Sequence, residues 1–367
     1  MIIRQLHYRH LVIALAMLLT NVGSVRGASA EAGRPVDQTR QIVDLAGRHV
    51  AIPGEIKNAA CLLISSYEKM LLLGQGDKIK LVMRITSPWA TRIFPRFVQS
   101  QNLEVKSAMN PNLEDMMANN VDVVFFWNRP EVIQKMATAG IPVVVTQIDD
   151  RKETDTLEAF IALRKKEMSM HADIFGAEAQ RKAEAWNRYF EDKVNYVYSK
   201  TKLIAEEQRL SAYYVRGPDV LITHSKYSHT WWDMKIAGAN PVASGQTKDV
   251  IDRVPAEQFL SLNPDVIFMG WLGSTDLVLK DEKWKHLNAV VKGKVFISPN
   301  GVYRWDHSSE APLLIMFFAK TLYPALFPEL DLVAETKNFY SKFYNYELTD
   351  DEAQRILSHR PPADRLQ

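Results

Sequence analysis

The sequence is poor in cysteine and, beyond its first 30 residues, has no long apolar run. Cys61 is the only cysteine among 367 residues, so no intramolecular disulfide can form. It lies far behind the first apolar stretch, whereas a lipid-anchored bacterial protein carries its cysteine directly after that stretch. We therefore interpret Cys61 as a small buried hydrophobic residue. No later segment has the roughly 20 consecutive apolar residues that a membrane-spanning helix requires.

The chain also lacks an excess of charge of either sign. It has 45 Lys and Arg residues against 43 Asp and Glu residues. Arg4, Arg9 and Arg26 lie within the first 30 residues, which contain no acid, so the remainder carries 42 basic and 43 acidic side chains. A nearly neutral chain does not indicate the basic surface that nucleic-acid binding requires, and we predict no nucleic-acid partner.

Motifs for phosphate binding and nucleophilic catalysis are absent as well. The Gly-Gln-Gly segment at 74–76 lacks the third glycine of a dinucleotide-binding loop, and the chain has neither a P-loop nor a Gly-x-Ser-x-Gly elbow. Asp306, His307 and Ser308 are adjacent in sequence, but a catalytic triad is defined by geometry and not by adjacency. We therefore predict a protein that is not an enzyme and has no resident cofactor.

The first 30 residues have the features of an export signal. Arg4 and Arg9 precede a short apolar stretch, and small residues follow, ending in Ala-Ser-Ala at 28–30. Signal peptidase cleaves after small residues in this arrangement. We predict a signal peptide at 1–30, cleavage near Ala30 and a mature protein in a bacterial periplasm. An uncleaved membrane anchor is the alternative.

One pattern occurs twice, at residues 112–126 and at residues 255–269. In each copy a Glu (Glu114 or Glu257) is followed eight residues later by an Asp and then by an apolar run. The pattern predicts a short helix that begins at an acidic residue, a turn and a buried strand. Two copies about 143 residues apart indicate two similar lobes, and a cleft between lobes is a common place to hold a small ligand.

Between the two copies lies the pattern of one long helix. No Gly or Pro occurs between Gly176 and Gly217, and apolar residues recur in steps of three and four from Ala179 to Val197. Some 25 residues at ~1.5 Å each make a helix roughly 38 Å long, more than a crossover within one lobe needs. We therefore predict an N-terminal α/β lobe at 31–175, a connecting helix at 176–206, a C-terminal α/β lobe at 207–358 and a disordered tail at 359–367.

Strands that alternate with helices on both sides of the long helix predict a parallel sheet in each lobe. The predicted fold class is α/β, with two similar α/β lobes bridged by one long rigid helix and a ligand cleft between the lobes. The charged run at 164–167 is expected on the solvent-exposed face of a helix.

Several further segments carry a family resemblance. They are Leu73–Ile79, Asn112–Glu114, Ala139–Val143, Tyr214–Pro218, Glu257–Phe268, Gly293–Val295 and Leu322–Pro324. In this order and spacing, over roughly residues 42–358, the chain resembles the class III periplasmic substrate-binding proteins of ABC importers for ferric siderophores, haem and cobalamin. The resemblance implies a ligand between two bridged lobes, an ABC permease in the inner membrane as partner, and a monomer.

The resemblance also implies a docking role for Glu114 and Glu257. In such families one surface Glu of each lobe contacts an arginine pocket of the permease, and these two residues occupy matching positions of the repeat. Carboxylates at equivalent points of two lobes can make a two-point contact with Arg. The alternative is that both residues only stabilise the positive end of a helix dipole.

Candidate ligand-binding residues lie in loops after predicted strands, because ligands of parallel α/β sheets meet the carboxyl ends of the strands. They are Arg84, Trp89, Trp127, Arg216, His224, Tyr227, Trp271, Tyr303 and Arg304. Aromatic faces can cover apolar parts of a chelate, and guanidinium groups can hold its carboxylate or catecholate oxygens. We predict a small-molecule metal chelate, most simply a ferric siderophore. Haem, cobalamin, a nickel chelate and a molybdate-like oxyanion are the alternatives.

His224 and His229 lie five residues apart and form a candidate metal-binding pair. Imidazole nitrogen binds iron, haem iron and nickel, so the pair could complete the coordination shell of a metal. A solvated loop without a metal is the alternative.

The leading hypothesis is a binding protein that makes and breaks no bond. Its lobes close modestly on the ligand, the protein docks on the permease at two points, and the permease releases the ligand. A sensor subunit that signals ligand occupancy to a membrane kinase and an exported enzyme on the same scaffold are alternatives, because a fold does not fix a function.

Overall fold

The computed structural model describes residues 39–83, 87–103, 110–147, 154–243 and 250–363. The predicted signal peptide and the candidate ligand residue Arg84 lie outside these ranges. No helix within them has both the length and the apolar character that crossing a membrane would take.

Thirteen strands and thirteen α-helices make up the described chain. The strands are β1 (Thr39–Val43), β2 (His49–Pro53), β3 (Ala59–Cys61), β4 (Ile79–Met83), β5 (Gln101–Leu103), β6 (Val123–Trp127), β7 (Val143–Gln147), β8 (Ser211–Val215), β9 (Ile222–His224), β10 (Asn240–Pro241), β11 (Ile251–Arg253), β12 (Val266–Met269) and β13 (Val295–Ile297). The helices are α1 (Ser65–Leu72), α2 (Pro88–Ile93), α3 (Leu113–Ala118), α4 (Pro130–Thr138), α5 (Leu157–Asp173), α6 (Ala177–Thr201), α7 (His229–Ile236), α8 (Ala256–Leu262), α9 (Asp276–Leu279), α10 (Asn288–Val291), α11 (Ala311–Leu322), α12 (Leu332–Tyr344) and α13 (Asp350–Leu357).

A five-stranded parallel sheet in the order β5-β4-β3-β6-β7 forms the N-terminal lobe. Strand β6 shows why its strands are continuous apolar runs. Val123 and Phe125 belong to the large central core, whereas Val124 and Phe126 belong to a separate apolar cluster. Successive side chains point to opposite faces, so both faces of this sheet are covered, as is usual for parallel sheets.

The C-terminal lobe repeats this plan with a four-stranded parallel sheet in the order β10-β8-β12-β13. On β8, Tyr214 faces the central core and Tyr213 faces a third apolar cluster. Strands β9 and β11 form a separate antiparallel pair. Two similar lobes with parallel sheets confirm the predicted fold class.

The sequence repeat corresponds to the same unit in both lobes, α3 followed by β6 and α8 followed by β12. Its two aspartates also do the same work. One oxygen of Asp122 accepts hydrogen bonds from the backbone N–H groups of Lys57 and Asn58, 2.8 Å away each, just before β3. One oxygen of Asp265 accepts from the backbone N–H (3.1 Å) and hydroxyl (2.9 Å) of Ser211, where β8 begins. Each aspartate therefore fixes the start of the neighbouring strand.

Helix α6 has 25 residues, so at ~1.5 Å per residue it extends roughly 38 Å. Its buried face is the predicted apolar stripe, with Ala179, Trp186, Phe190 and Val197 all at most 1% exposed. The helix lies within the range 176–206 that the sequence predicts for it. The boundaries assigned to the lobes on either side stay predictions.

The central core is shared by both lobes and α6. One continuous apolar cluster contains Val123 of the first sheet, Trp186 of α6 and Phe268 of the second sheet. Cys61 lies in the same cluster with no exposed surface, and burial raises the pKa of its thiol. Its interpretation as a buried hydrophobic residue is therefore confirmed.

The charged run at 164–167 departs from expectation. Arg164 and Glu167 of α5 are only 2% and 3% exposed, and their side chains form an ion pair at 3.0 Å. A second nitrogen of Arg164 donates to the carbonyl of Ser308 at 2.8 Å. The prediction of a solvated face was wrong for these two residues, because α5 packs against the segment before α11 rather than against water.

Candidate functional site: an arginine-lined cleft

A cavity of about 750 Å³ is lined by residues that follow parallel strands of both lobes. Its lining residues are Leu63, Ile64, Ser65, Met83, Trp127, Arg129, Gln147, Arg216, Val250, Ile251, Trp271, Tyr303, Arg304 and His307. The volume is in the range of pockets that take small molecules, and the carboxyl ends of parallel strands are where such ligands bind.

The first lobe contributes the ends of three strands and the start of a helix. Trp127 is the last residue of β6, Arg129 follows it, and Gln147 is the last residue of β7. Ser65 is the first residue of α1, whose N-terminus has no side-chain cap. The positive end of the α1 dipole therefore adjoins the cavity.

The second lobe contributes two arginines that share one aromatic partner. The guanidinium carbons of Arg216 and Arg304 lie 3.6 Å and 3.8 Å from the centroid of the Trp271 ring. Arg216 follows β8, and Trp271 follows β12, so neighbouring strands of one sheet bring them together. Cation–π contact with the indole fixes both guanidinium groups at the cavity.

Asp306 holds the indole of Trp271 in place. One oxygen of Asp306 accepts hydrogen bonds from Trp271 Nε1 at 2.8 Å and from the hydroxyl of Tyr214 at 3.0 Å. A Cβ atom at Gly270 would overlap the ring of Tyr214, so only glycine fits between β12 and this hydrogen-bonded group. Burial, and then the charge of Asp306, raises the pKa of Tyr214, which keeps its hydroxyl a donor.

The described lining of the cavity contains three arginines and no carboxylate. Burial lowers the pKa of Arg216 from its ordinary value; the charge of Arg304 lowers it further, and Asp306 opposes both. The arrangement concentrates positive charge in a partly enclosed space. An anion placed there would be attracted by the arginines and would meet no opposing carboxylate from the described lining.

Behind the cavity wall, His224, Asp306 and His307 come close together. Each offers one ligand atom, and these atoms lie within 4.8 Å of one another. Burial, and then the neighbouring His307, lowers the pKa of His224 to about 3. His229, the predicted partner of His224, instead faces an ion pair: Nδ1 lies 3.3 Å from Arg164, and Nε2 lies 3.8 Å from Glu167.

Five of the nine predicted ligand residues line the cavity: Trp127, Arg216, Trp271, Tyr303 and Arg304. The others lie elsewhere. His224 is buried behind His307, with 5.0 Å between the ring centroids. Tyr227 lines a separate pocket with Trp231 and Trp232. Trp89 is buried, and its indole nitrogen donates to the carbonyl of Arg360 at 3.0 Å. Arg84 lies outside the described residues.

Several lining residues were not among the predicted set, notably His307, Gln147 and Ser65. Gln147 and Ser65 each follow or end a strand segment of the first sheet, so the rule that selected Trp127 could have found them. His307 lies in the 3₁₀ turn Trp305–His307, and only the packing of this turn against β9 brings it to the cavity.

The two predicted docking residues have matching positions. Glu114 and Glu257 are exposed, and each lies in the first turn of its repeat helix, α3 or α8. No ion pair joins either of them to another described residue. Both carboxylates are thus available at the surface, and their docking role stays a prediction.

Two parallel-sheet lobes, one connecting helix and a ligand-sized cavity at the strand ends define a two-lobed solute-binding protein. The chain belongs to the periplasmic binding protein family, whose model matches residues 60–301. The predicted family resemblance is therefore confirmed.

Two relatives are similar over most of their length. The molybdate-binding protein MolA of Haemophilus influenzae is 26% identical over 344 residues, covering 86% of this chain and 94% of MolA. YvrC of Bacillus subtilis, an ABC transporter substrate-binding lipoprotein, is 25% identical over 298 residues, covering 78% of this chain and 87% of YvrC.

Solved structures have the same fold. MolA bound to molybdate matches with a TM-score of 0.74 and 24% identity, covering 84% of this chain and 99% of that one. Helicobacter pylori CeuE with Ni(II) bound matches with a TM-score of 0.69 and 15% identity, covering 87% of this chain and 99% of that one.

Proposed function

We propose that this protein is the periplasmic solute-binding component of an ABC importer and that its cleft binds an oxyanion of the molybdate class. The observation that carries the proposal is the charge of the cleft, where the described lining offers three arginines and no carboxylate. Guanidinium groups donate several hydrogen bonds in a fixed plane and suit oxyanions. A free metal cation would be repelled by the same lining.

The contacts of Trp271 explain how the arginines would be kept in place for an anion. Its ring holds Arg216 and Arg304 by cation–π contact, and its Nε1 is fixed by Asp306. Guanidinium groups that are already positioned lose less conformational freedom on binding, which increases affinity. The uncapped start of α1 at Ser65 adds further positive potential to the same cavity.

The similarity to MolA supports an oxyanion, since that relative is named for molybdate binding and the match covers 86% of this chain. As in the binding mechanism that the sequence suggests, capture would need only contact with the lobes, followed by docking on a permease. No step of this function requires bond chemistry.

A metal chelate such as a ferric siderophore is the second candidate, and the size of the cavity favours it. A tetrahedral oxyanion needs on the order of 100 Å³, if each oxygen takes about the 30 Å³ of a water molecule. The cavity has about 750 Å³, which would also hold a chelate with several anionic oxygens. Haem, cobalamin and a nickel chelate belong to the same size class.

Calorimetric titration of the mature protein separates the two candidates. Molybdate and tungstate should bind at micromolar concentration or below, whereas ferric hydroxamate and catecholate chelates should not. Replacing Arg216 by Met removes a charged donor from the cleft, which should weaken molybdate binding by roughly 10- to 150-fold, or about 1.5–3 kcal/mol.

Arg96 provides the matched control for this substitution. Its side chain is 81% exposed and pairs only with exposed Asp77, so Arg96→Met should leave molybdate affinity unchanged. Tight binding of a ferric chelate without oxyanion binding would replace the first candidate by the second. If neither class binds, or if Arg216→Met and Arg96→Met behave alike, the anionic cleft is not the binding site.

A further inference from the structure

Three side chains behind the cleft wall have the arrangement of a metal site. His224 ends β9, and Asp306 and His307 lie in the 3₁₀ turn before α11. One ligand atom of each residue lies within 4.8 Å of the other two. These residues come from separate segments of the second lobe, so the juxtaposition arises from tertiary packing and not from a local turn.

Two of these ligand atoms are buried without a hydrogen-bond partner. They are Nε2 of His224 and the Oδ1 oxygen of Asp306, in residues that are 3% and 1% exposed. Buried polar atoms are nearly always satisfied, and an unpaired one calls for an explanation such as a bound ion. Two such atoms close together, beside a third possible ligand, favour one shared partner.

The opposite atoms of the same side chains are already occupied. Nδ1 of His224 lies 2.8 Å from the hydroxyl of Thr230, and Oδ2 of Asp306 accepts from Trp271 and Tyr214. Metal-binding histidines and carboxylates are usually oriented in this way, by hydrogen bonds to the atom that does not coordinate. Both free atoms are thus held in fixed positions.

We propose that His224, Asp306 and His307 bind one divalent first-row transition metal ion, with Zn²⁺ as the simplest occupant. Two imidazoles and one carboxylate are ligands that Zn²⁺ and its neighbours accept, whereas Mg²⁺ and Ca²⁺ prefer oxygen ligands. Arg216 is the nearest opposing charge and Asp306 offsets it. This ion is separate from the transported ligand.

The open coordination position of such an ion would be on the side of His307. His307 is half-buried and lines the cavity, whereas His224 and Asp306 are behind it. The ion would link β9 to the turn that follows Arg304, and it would add positive charge next to the cleft. The site does not depend on which anion or chelate the cleft carries.

Zinc titration of the chelator-treated, tag-free mature protein tests the proposal. Isothermal calorimetry should give one equivalent of Zn²⁺ per chain with a dissociation constant of about 1 μM or lower, and Zn²⁺ should raise the melting temperature. Co²⁺ should occupy the same site and give a d–d absorption spectrum that excess Zn²⁺ removes. His307→Gln and His224→Gln should each weaken Zn²⁺ binding at least tenfold.

The other histidines supply controls. His49 and His286 are exposed, so the double variant His49→Gln/His286→Gln should bind Zn²⁺ as the wild type does. His229→Gln should also bind normally, which separates this site from a His224–His229 pair. Because His307 is half-buried, His307→Gln should fold even if His224→Gln does not. Absence of stoichiometric binding by the wild type, or equal affinity of the wild type and His307→Gln, would overturn the proposal.

Discussion

Removal of Arg164 is the most direct test of how the two lobes are joined. Its side chain and that of Glu167 are 2% and 5% exposed and pair at 3.0 Å, and Arg164 also donates to the carbonyl of Ser308 at 2.8 Å. Arg164→Met leaves the Glu167 carboxylate buried without its main partner. Breaking one half of a buried ion pair costs about 3–5 kcal/mol of the free energy of unfolding.

Replacing both partners should recover most of that loss. In Arg164→Met/Glu167→Leu no buried charge remains, and buried ion pairs exchanged for apolar residues are often neutral in stability. The carbonyl of Ser308 still loses its donor, which costs about 1 kcal/mol. We therefore expect the double variant to be roughly 2–4 kcal/mol more stable than the single variant.

Urea unfolding followed by circular dichroism at pH 7.5 measures these differences. Lys165→Met is the matched control from the same helix, because Lys165 pairs with Glu191 at 2.7 Å while both side chains are at least one third exposed. That pair should contribute at most about 1 kcal/mol. The reasoning is refuted if Arg164→Met costs no more than Lys165→Met, or if the double variant is less stable than Arg164→Met.

Two further predictions concern transport and acid stability. Charge reversal of both Glu114 and Glu257 to Lys should abolish uptake in cells while calorimetric ligand affinity is retained, because both carboxylates are exposed on the repeat helices; full uptake would exclude docking through them. Burial, and then the charge of Lys69, lowers the pKa of His171 to about 3 from 6.5. The unfolded chain therefore binds a proton between pH 6.5 and 3 that the folded protein does not, so stability present above pH 6.5 is lost as the pH falls. This amounts to about 2 kcal/mol at pH 5. His171→Gln should remove that part of the difference between urea unfolding at pH 7.5 and pH 5; an unchanged difference would contradict the assignment.

Local patterns predicted the scaffold well because they depend on neighbouring residues. The apolar stripe of α6 and the repeated helix–strand unit follow from periodicity alone, and both are present where the sequence places them. The strand-end rule also selected Trp271 and Arg304 correctly as cavity residues. These inferences need only the direction in which a strand or helix runs.

The remaining site residues depend on contacts between distant segments. Trp89 follows a strand as the rule requires, but its indole donates to Arg360, 271 residues away in sequence, and is buried there. His307 reaches the cavity only because its turn packs against β9. Arg164 and Glu167 resemble a solvated pair until α5 meets the segment at Ser308. No periodicity records such pairings.

The wall of the cleft that carries Tyr303 and Arg304 is attached to the opposite lobe, which limits how ligands can be selected. Tyr67 of α1 donates to the carbonyl of Val302 at 2.9 Å, and Glu68 accepts from the backbone and hydroxyl of Ser309 at 3.0 Å each. These buried contacts lie on both sides of the loop. A loop held at both ends by the first lobe cannot swing freely with the second. Discrimination among anions must therefore come mainly from preformed side-chain positions, and large lobe closure is not required.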